Sequence, residues 1–351
     1  MKILALDLGK SKTMACVYDA VTGDHVYRTI RTVPDVLQDL IGAVRPDRVV
    51  LEISSTAGWV TDLVRALEIE VQVANTAHQA WRWRNVRKKN DRVDALKLAQ
   101  LSAVNQLSLV HVPERRVRQW RSFISYRHQL VQRRTQIKNH IRAILDREAL
   151  LMPAGHRGWT LDSLASLGEL AKPLDAVSMD QLWRAELWME LRALETVEMW
   201  ITEVEHKLDA MVQADARTRL LQTIPGVGPR MAEVVVAVID DPHRFKNARQ
   251  VGSYAGLTPR QYQSGDSDRQ GKISGQGNNR LRSLLVEVSW IGLRYNPWFR
   301  SVYERVRRAS PTRKKIAIVA LARHLLIRCW AMLRDGTSWR PPELACAGAR
   351  T

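Results

Sequence analysis

The strongest constraint on the fold is a series of short apolar segments in the first eighty residues. Three of them, KILALDL, MACVYD and HVYRTIRT, follow one another with only short turns between them, and each is typical of a strand. An amphipathic helix then opens at Pro34, and a buried strand ends at Glu52. A helix over about 56–67, the strand EVQVAN and a helix from about residue 92 complete the series.

Strands joined by hairpins and followed by alternating helices and strands have the order of a ribonuclease H-like α/β domain, which we predict over residues 1–110. Two long helical segments follow, a basic one at 114–148 and an acidic one at 179–211. They either pair as an antiparallel helical hairpin, or the acidic one forms a coiled coil with a second subunit. We therefore predict a hairpin or coiled-coil region over 111–215 and a mainly α-helical C-terminal domain over 216–351.

The net charge of +18 restricts the partners of the chain. It is concentrated in two blocks, because residues 81–150 carry 17 basic and 5 acidic side chains and residues 240–351 carry 21 and 8. Without a polyanion these blocks would repel each other, and together they can neutralise several phosphates. We therefore predict a nucleic-acid partner and no membrane surface. Trp81 and Trp83 lie in the first block and are candidates for stacking on bases.

Cysteine content and hydropathy indicate the compartment. Cys16, Cys329 and Cys346 are too far apart for a CxxC metal knuckle, and their odd number argues against a disulfide framework. An unbroken run of only four apolar residues, ILAL, precedes Asp7, and no stretch is expected to approach the roughly 20 apolar residues of a membrane span. We expect a protein of a reducing compartment, the cytoplasm.

Four carboxylates are candidates for a metal site. Asp7 and Glu52 end two strands that should lie side by side, and Asp91 and Asp94 share one face at the start of a helix. Hard divalent cations such as Mg²⁺ or Mn²⁺ prefer oxygen ligands. A pair of such ions stabilises both the attacking and the leaving oxygen of a phosphodiester displacement.

Each carboxylate also has a purely structural interpretation. Asp7 can end a strand, Asp91 can cap its helix, and Glu52 or Asp94 can pair with a neighbouring cation. The segment LALDLGKSKT also resembles the first phosphate-binding turn of sugar-kinase and actin-like ATPases. Those proteins need a second lobe with a similar turn, whereas residues 151–351 are typical of helices. The four carboxylates taken together favour a metal site.

Two motifs stand out in the C-terminal part. IPGVGPRMAEVVVA resembles a helix-hairpin-helix turn, in which Gly226 and Gly228 would offer backbone N–H groups to a phosphate, although a plain tight turn is an equal alternative. Ser274 lies in a glycine-rich stretch after Lys272. Nearby cations can stabilise a serine alkoxide, although a serine in a loop is ordinarily a turn residue or a phosphate contact.

Six motifs in their order resemble the insertion-sequence 110 family of DEDD transposases over nearly the whole chain. They are LALDLGKSKT, VLEISSTAG, KKNDRVDALKLA, IPGVG, YAGLTPRQYQSG and GKISGQGNNRLR. The resemblance implies that Asp7, Glu52, Asp91 and Asp94 are the metal-binding carboxylates of a RuvC-like domain and that Ser274 joins covalently to DNA. It further implies an RNA-guided recombinase, in which a bridge RNA from the element pairs with donor and target DNA. Homo-oligomers, dimers or tetramers, would combine the acidic site of one subunit with the serine of another.

One departure from the family concerns the residue after the serine. Gly275 directly follows Ser274 here, whereas the family's serine is often followed by Lys and then a spaced Gly. Ser264 and Ser267 are the alternative serines, and Ser274 remains our choice. The groups expected to contact nucleic acid are Lys88, Lys89, Arg92, Arg133, Arg134, Lys138, Gly226, Gly228, Lys272, Arg280 and Arg282.

Three functional hypotheses follow from these residues. The first is a DNA recombinase that cuts and rejoins DNA through a phosphoserine at Ser274. The second is a RuvC-like nuclease or junction resolvase that uses the four carboxylates and water, so that its cleavage would survive Ser274→Ala. The third is a nucleic-acid scaffold without catalysis, for which Asp7→Ala and Glu52→Ala would change nothing.

Overall fold

A computed structural model describes residues 1–75, 90–264 and 267–341. It contains two compact units, Met1–Gln119 and Trp120–Thr351. Cys16 and Cys329 are free and buried within them. The predicted contacts of Lys88 and Lys89, the stacking candidates Trp81 and Trp83, and Cys346 lie outside the described residues.

The first unit is built on a five-stranded mixed sheet. Its strands are β1 (Lys2–Leu8), β2 (Lys12–Asp19), β3 (His25–Arg31), β4 (Arg48–Glu52) and β5 (Glu70–Ala74). They lie in the order β3-β2-β1-β4-β5, with antiparallel pairs among the first three strands and parallel pairs from β1 to β4 and from β4 to β5. The predicted order of hairpins followed by crossovers is therefore present in the sheet.

Helices cover both faces of this sheet because alternate residues of its strands point to opposite sides. Helices α1 (Pro34–Val44) and α2 (Ala57–Ala66) share one apolar core with Leu4 and Leu6. Helix α3 (Asp91–Ala103) packs on the other face, where Ile3, Ala5 and Val50 contact Leu98 and its neighbours. Asp7 and Glu52 follow the same alternation as Ala5 and Val50, which places them on the α3 face.

The second unit is mostly helical and has one continuous core. Helix α4 begins in the first unit and continues into the second. The helices are α4 (Arg115–Arg147), α5 (Leu161–Leu170), α6 (Leu182–Ala214), α7 (Ala216–Gln222), α8 (Pro229–Ile239), α9 (Ala248–Tyr254), α10 (Asn279–Tyr295), α11 (Pro297–Arg307) and α12 (Lys314–Asp335).

The two longest helices, α4 and α6, are joined by ion pairs. Arg127 pairs with Glu205, Lys138 with Glu198 at 3.0 Å, and Arg147 with Glu186 at 2.5 Å. As the residue number rises along α4 it falls along α6, so the contacts are antiparallel. Basic side chains of one helix thus meet acidic side chains of the other within the chain.

A small antiparallel hairpin interrupts the helices of the second unit. Its strands are β6 (Pro259–Ser264) and β7 (Ser267–Ile273), and the backbones of Ser264 and Ser267 pair at its closed end. Sequence analysis did not predict these two strands. The pattern did not reveal the strands because polar residues dominate both faces of the hairpin, so the apolar alternation that marks a half-buried strand is missing.

One described helix meets the length and composition of a membrane span. An 18-residue window within Pro311–Asp335 has a mean hydropathy of 1.7, and half of that window is buried inside the protein. Leu321, Leu325 and Cys329 on this helix belong to the core of the second unit. Buried core helices meet the same criteria, so the helix is weak evidence for a membrane. The expectation that no stretch would approach such a length was nevertheless wrong.

Candidate active site

The first two carboxylates lie on neighbouring strands at one edge of the sheet. Leu6 of β1 is paired with Leu51 of β4 in parallel register, so Asp7 and Glu52 are the next residues along the two strands. Parallel neighbours are about 4.8 Å apart across the ladder. The register therefore sets the two carboxylates side by side, both half-buried.

The other two carboxylates come from the first turn of α3. Asp91 is exposed and Asp94 is half-buried. The cap of this helix is Asn90, whose side-chain oxygen accepts a hydrogen bond from the backbone N–H of Arg92 at 3.1 Å. The alternative interpretation of Asp91 as the helix cap was therefore wrong.

A single cavity of about 460 Å³ brings the four carboxylates together. Asp7, Glu52, Asp91 and Asp94 all line it, together with residues of the β1–β2 hairpin and of β3. The hairpin turn is tight, because the backbone N–H of Gly9 donates to the carbonyl of Lys12 at 3.1 Å. A Cβ atom on Gly9 would lie 2.4 Å from that carbonyl oxygen, so only glycine fits this turn.

The donor set of the cavity fits a hard divalent cation by its chemistry. Carboxylate oxygens from three separate stretches of chain, with the exposed residue Thr29 nearby, supply the oxygen donors that such an ion prefers. Within the described residues, however, no group of three or more His, Cys, Asp or Glu side chains is close enough to hold a metal ion as it stands. The metal-binding role of the four carboxylates stays a prediction.

Sequence reasoning missed several residues at this cavity. Lys12, Thr13 and Thr29 line it, because β2 and β3 lie beside β1 in the sheet. Only the hairpin register, which pairs Asp7 with Met14, identifies them. Lys97, which does not line the cavity, lies three residues after Asp94 on the same helix and was also missed. Burial lowers the pKa of Lys97, and the negative charge of Asp94 opposes that change.

Ser274 directly follows the second strand of the β6–β7 hairpin. Its backbone N–H donates to the carbonyl of Thr258 at 2.9 Å, and its own carbonyl accepts from Arg260 at 3.3 Å. The residue is half-buried. It therefore lies at the end of a strand, where its backbone is held on both sides, rather than in the middle of a loop.

Close backbone packing holds the segment after Ser274. Gly256 and Gly277 both have positive φ angles, 68° and 89°. A Cβ atom on Gly256 would lie 1.7 Å from the carbonyl oxygen of Gln276. Arg282 donates to the carbonyls of Ala255 and Gln276, at 3.1 and 3.0 Å, and so joins the two crossing segments.

The cationic residues predicted to bind nucleic acid on α3 and α4 have different environments. Arg92 is exposed and lies over the ring of Tyr27 at 5.7 Å. Arg133 is exposed, Arg134 is half-buried, and Lys138 is engaged with Glu198. Arg133 and Arg134 therefore remain more accessible to a phosphate than Lys138.

The residues of the C-terminal part that were predicted to contact nucleic acid also differ in their exposure. Gly228 is exposed and caps α8, whereas Gly226 is half-buried, and a Cβ atom there would lie 3.2 Å from Gly292. Arg280 is half-buried and donates to the carbonyl of Ile124, which directs it into the unit. Lys272 is exposed on β7.

Comparison with known proteins gives the class and the family. A DEDD transposase model of the IS110 type matches residues 4–149, and the model described as the transposase IS116/IS110/IS902 family matches residues 218–304. A probable family 20 transposase of Pseudomonas aeruginosa is 30% identical over 265 residues, which cover 72% of this chain and 74% of the relative. The transposase for insertion sequence element IS1111A of Coxiella burnetii is 27% identical over 97% of this chain and 92% of its own.

Among solved structures, Thermus thermophilus RuvC in complex with a Holliday junction substrate covers 31% of this chain and 99% of its own, with 12% identity and a TM-score of 0.24. The two family models and the transposase relatives, rather than this structure, show that the protein is a transposase by class. It belongs to the IS116/IS110/IS902 family of insertion-sequence transposases.

Proposed function

We propose that this chain is a DNA recombinase that cuts and rejoins the ends of an insertion sequence through a phosphoserine formed at Ser274. The observation that carries the proposal is the cavity of about 460 Å³ lined by Asp7, Glu52, Asp91 and Asp94. Three separate stretches of chain contribute these side chains, and the sheet register and the α3 face converge on them. Membership of a transposase family makes DNA the substrate of this chemistry.

The four carboxylates would hold the divalent cation, Mg²⁺ or Mn²⁺. When bound, such an ion supplies charge stabilisation for the oxygens around a phosphorus atom undergoing displacement. Lys12, which also lines the cavity, would bind a phosphate oxygen of the DNA strand and orient it. The buried Thr13 hydroxyl shares a hydrogen bond with Thr32 at 2.8 Å, and this contact fixes the strand that carries Lys12.

The serine step is a transesterification. The Oγ atom of Ser274 forms a bond to the phosphorus of a DNA phosphodiester, and the bond from phosphorus to one deoxyribose oxygen breaks. The serine proton leaves as the released deoxyribose oxygen gains one, so that one phosphoester replaces another. Because the phosphoester is retained, reversal with a new DNA hydroxyl rejoins the strand without a high-energy cofactor.

The remaining parts of the proposal concern partners and assembly. A structured RNA from the element would bridge donor and target DNA, and the two basic blocks supply charge for both nucleic acids. A homo-oligomer, dimer or tetramer, would form the active assembly, with the α4–α6 helical hairpin as its arm. We further propose three functional regions, 1–110, 111–215 and 216–351, in a protein that acts in the cytoplasm at the nucleoid.

The decisive experiment detects the covalent intermediate. The full chain is incubated with RNA from the element, Mg²⁺ and end-labelled DNA that spans an element end, and the mixture is resolved under denaturing conditions. We expect a protein–DNA adduct whose tryptic peptide carries a nucleotide on Ser274. Ser274→Ala should abolish it, whereas Ser301→Ala, at an exposed serine of α11, should leave its yield unchanged.

The hydrolytic alternative gives a different result in the same experiment. A nuclease that uses the four carboxylates and water would cut the DNA without an adduct, and Ser274→Ala would cut as well as the parent. That outcome would replace the recombinase by a nuclease. An adduct mapped to Ser264 or Ser267 would support the recombinase function and would identify that serine, instead of Ser274, as the nucleophile.

A further inference from the structure

The second unit contains a cavity beside the β6–β7 hairpin that the proposed chemistry does not use. Its volume is about 600 Å³, within the range of pockets that hold small organic ligands. Pro259, Gly271 and Lys272 of the hairpin form one side. The segment around Arg313 and the first turns of α12 form the other side.

Four cations line this cavity, Lys272, Arg313, Lys315 and Arg323. None of the four side chains has an ion pair or side-chain hydrogen bond within the part of the chain that the structure describes. No acidic residue is among the described lining residues. The N-terminal turn of α12 adds its own partial positive charge at Lys315. The cavity therefore favours a ligand that carries at least one phosphate.

The rest of the lining is apolar, and this distinguishes the cavity from a simple phosphate site. Of the apolar lining residues, Leu257 is buried and Ile316 is 58% exposed. An exposed large aliphatic side chain beside unpaired cations is a surface that gains stability when a flat apolar ligand covers it. The apolar lining residues are Leu257, Ile273, Val306, Ile316, Val319 and Ala320.

The cavity adjoins the proposed nucleophile. Ile273, which lines it, is the residue immediately before Ser274. Consecutive Cα atoms are about 3.8 Å apart, so a DNA strand whose phosphate meets Ser274 has its neighbouring nucleotide within reach of the cavity. Arg260 holds the Ser274 carbonyl, and Thr258 holds its N–H, which keeps the cavity and the serine in one rigid segment.

We propose that this cavity binds one unpaired nucleotide of the DNA strand, the one beside the phosphate that Ser274 attacks. Its base would lie against the apolar lining, and its phosphate would contact Lys272, Arg313 and Lys315. The described lining side chains carry no amide or carboxylate to read a base edge. This assignment rests on the proposed role of Ser274.

The proposed phosphate contacts of the cavity are tested by DNA binding in the Ser274→Ala variant, which lacks the proposed nucleophile and so binds DNA without reacting. A fluorescein-labelled dT12 strand is titrated in a salt series. Arg313→Gln with Lys315→Gln should weaken binding on the order of tenfold and reduce the slope of log Kd against log salt by about 1.4, at about 0.7 per lost phosphate contact. The matched control, Lys207→Gln with Lys246→Gln, removes the same charge at exposed residues outside the cavity. Equal losses in both pairs would overturn the proposal.

The base half is tested with an abasic 12-mer that keeps the same phosphates. The parent should bind dT12 more tightly than the abasic strand by a factor of about 5 to 150, the range for one stacked base. Ile316→Lys removes apolar surface but adds a cation, so it should reduce this preference while binding of the abasic strand is retained. A parent that binds both strands equally would show that the cavity holds no base.

Two further measurements distinguish this proposal from an RNA-binding cavity and from the proposed role of Ser274. Preferential binding of U12 RNA over dT12, lost in the Arg313/Lys315 variant, would assign the cavity to RNA and overturn the DNA assignment. If the Ser274→Ala variant forms no adduct but still prefers dT12 to the abasic strand, both the nucleophilic role of Ser274 and the nucleotide cavity are supported. An adduct that persists in Ser274→Ala, together with an intact dT12 preference, would reject the serine and leave the nucleotide cavity standing.

Discussion

The acidic cavity of the first unit and the stretch from Ser274 to Gly277, here called the serine segment, are held in place in different ways. Asp7 and Glu52 are at the ends of paired strands within a five-stranded sheet that has helices on both faces. Ser274 is at the end of a two-stranded hairpin and is held by crossing backbone segments, with glycines at the closest approaches. One site rests on a ladder of hydrogen bonds, and the other rests on a few contacts.

This difference teaches what each chemistry requires. Ligands of a hard cation must be held with little freedom, and central strands provide that rigidity. The segment that carries Ser274 depends instead on a few close backbone contacts, so a substitution there also changes where the residue lies. We therefore expect substitutions in the first site to act on chemistry alone and substitutions in the second to act on loop structure and chemistry together.

The largest expected effect is at the acidic cavity. Asp7→Asn and Glu52→Gln keep the side-chain shape but remove the charge, so each should lower the rate of adduct formation by about a hundredfold or more, as losses of transition-state electrostatics do. Calorimetric titration with Mn²⁺ should show weakened binding in both variants. Asp39→Asn, on the exposed face of α1, is the matched control and should match the parent in both measurements. Full activity in Asp7→Asn would remove this cavity from the mechanism.

The next effect separates steric crowding from backbone conformation at the serine segment. Gly256→Ala would force a Cβ atom into the carbonyl of Gln276, whereas Gly275→Ala meets open space at a similar φ of 67°. We expect about 3 kcal/mol of destabilisation or a displaced loop for the first and about 1 kcal/mol for the second. Urea unfolding and adduct yield measure the two consequences. If both variants behave alike, the crossing of the two segments does not hold the serine.

The smallest effect concerns a carboxylate that is buried rather than open to a cavity. Burial raises the pKa of Glu233 to about 7, although Arg230, Arg280 and Arg127 oppose this shift, and Asp209 adds to it. The folded protein then holds a proton that the unfolded chain loses near pH 4.5, so the stabilisation present below that pH is lost as the pH rises to about 7.

Glu233→Gln should remove this dependence. The free energy of unfolding of the parent should fall by about 2 to 3 kcal/mol relative to the variant between pH 5 and pH 8. Chemical unfolding at both pH values measures it, with Glu304→Gln at an exposed ion pair as the control. A constant difference between parent and variant across this range would show that Glu233 is charged throughout.

Much of the acidic site could be predicted from the sequence. Apolar alternation located β1 and β4, their parallel order followed from the intervening helix, and the two carboxylates at their ends were therefore expected together. The spacing of Asp91 and Asp94 gave them one helix face. Lys12 and Thr29 could not be found in this way, because hairpin register decides which residues of β2 and β3 lie beside Asp7.

The serine segment was less accessible to the same reasoning. Polar residues on both faces of the β6–β7 hairpin concealed its strands, and the role of Arg282 was predicted as a phosphate contact, whereas in the structure it donates to two backbone carbonyls. Local patterns report which face of an element is apolar. They do not report which distant carbonyls a long cationic side chain reaches.

The sequence by itself determined the order of the strands, the two long helices, the basic character and the four carboxylates, because each depends on residues near one another in the chain or on composition. Tertiary structure decided which groups meet: the convergence of α3 on the β1–β4 edge, the crossing of Gly256 with Gln276, and the cation-lined cavity beside Ser274. The physical reason is that burial and charge pairing are properties of residues far apart in sequence, and only packing brings them within range of one another.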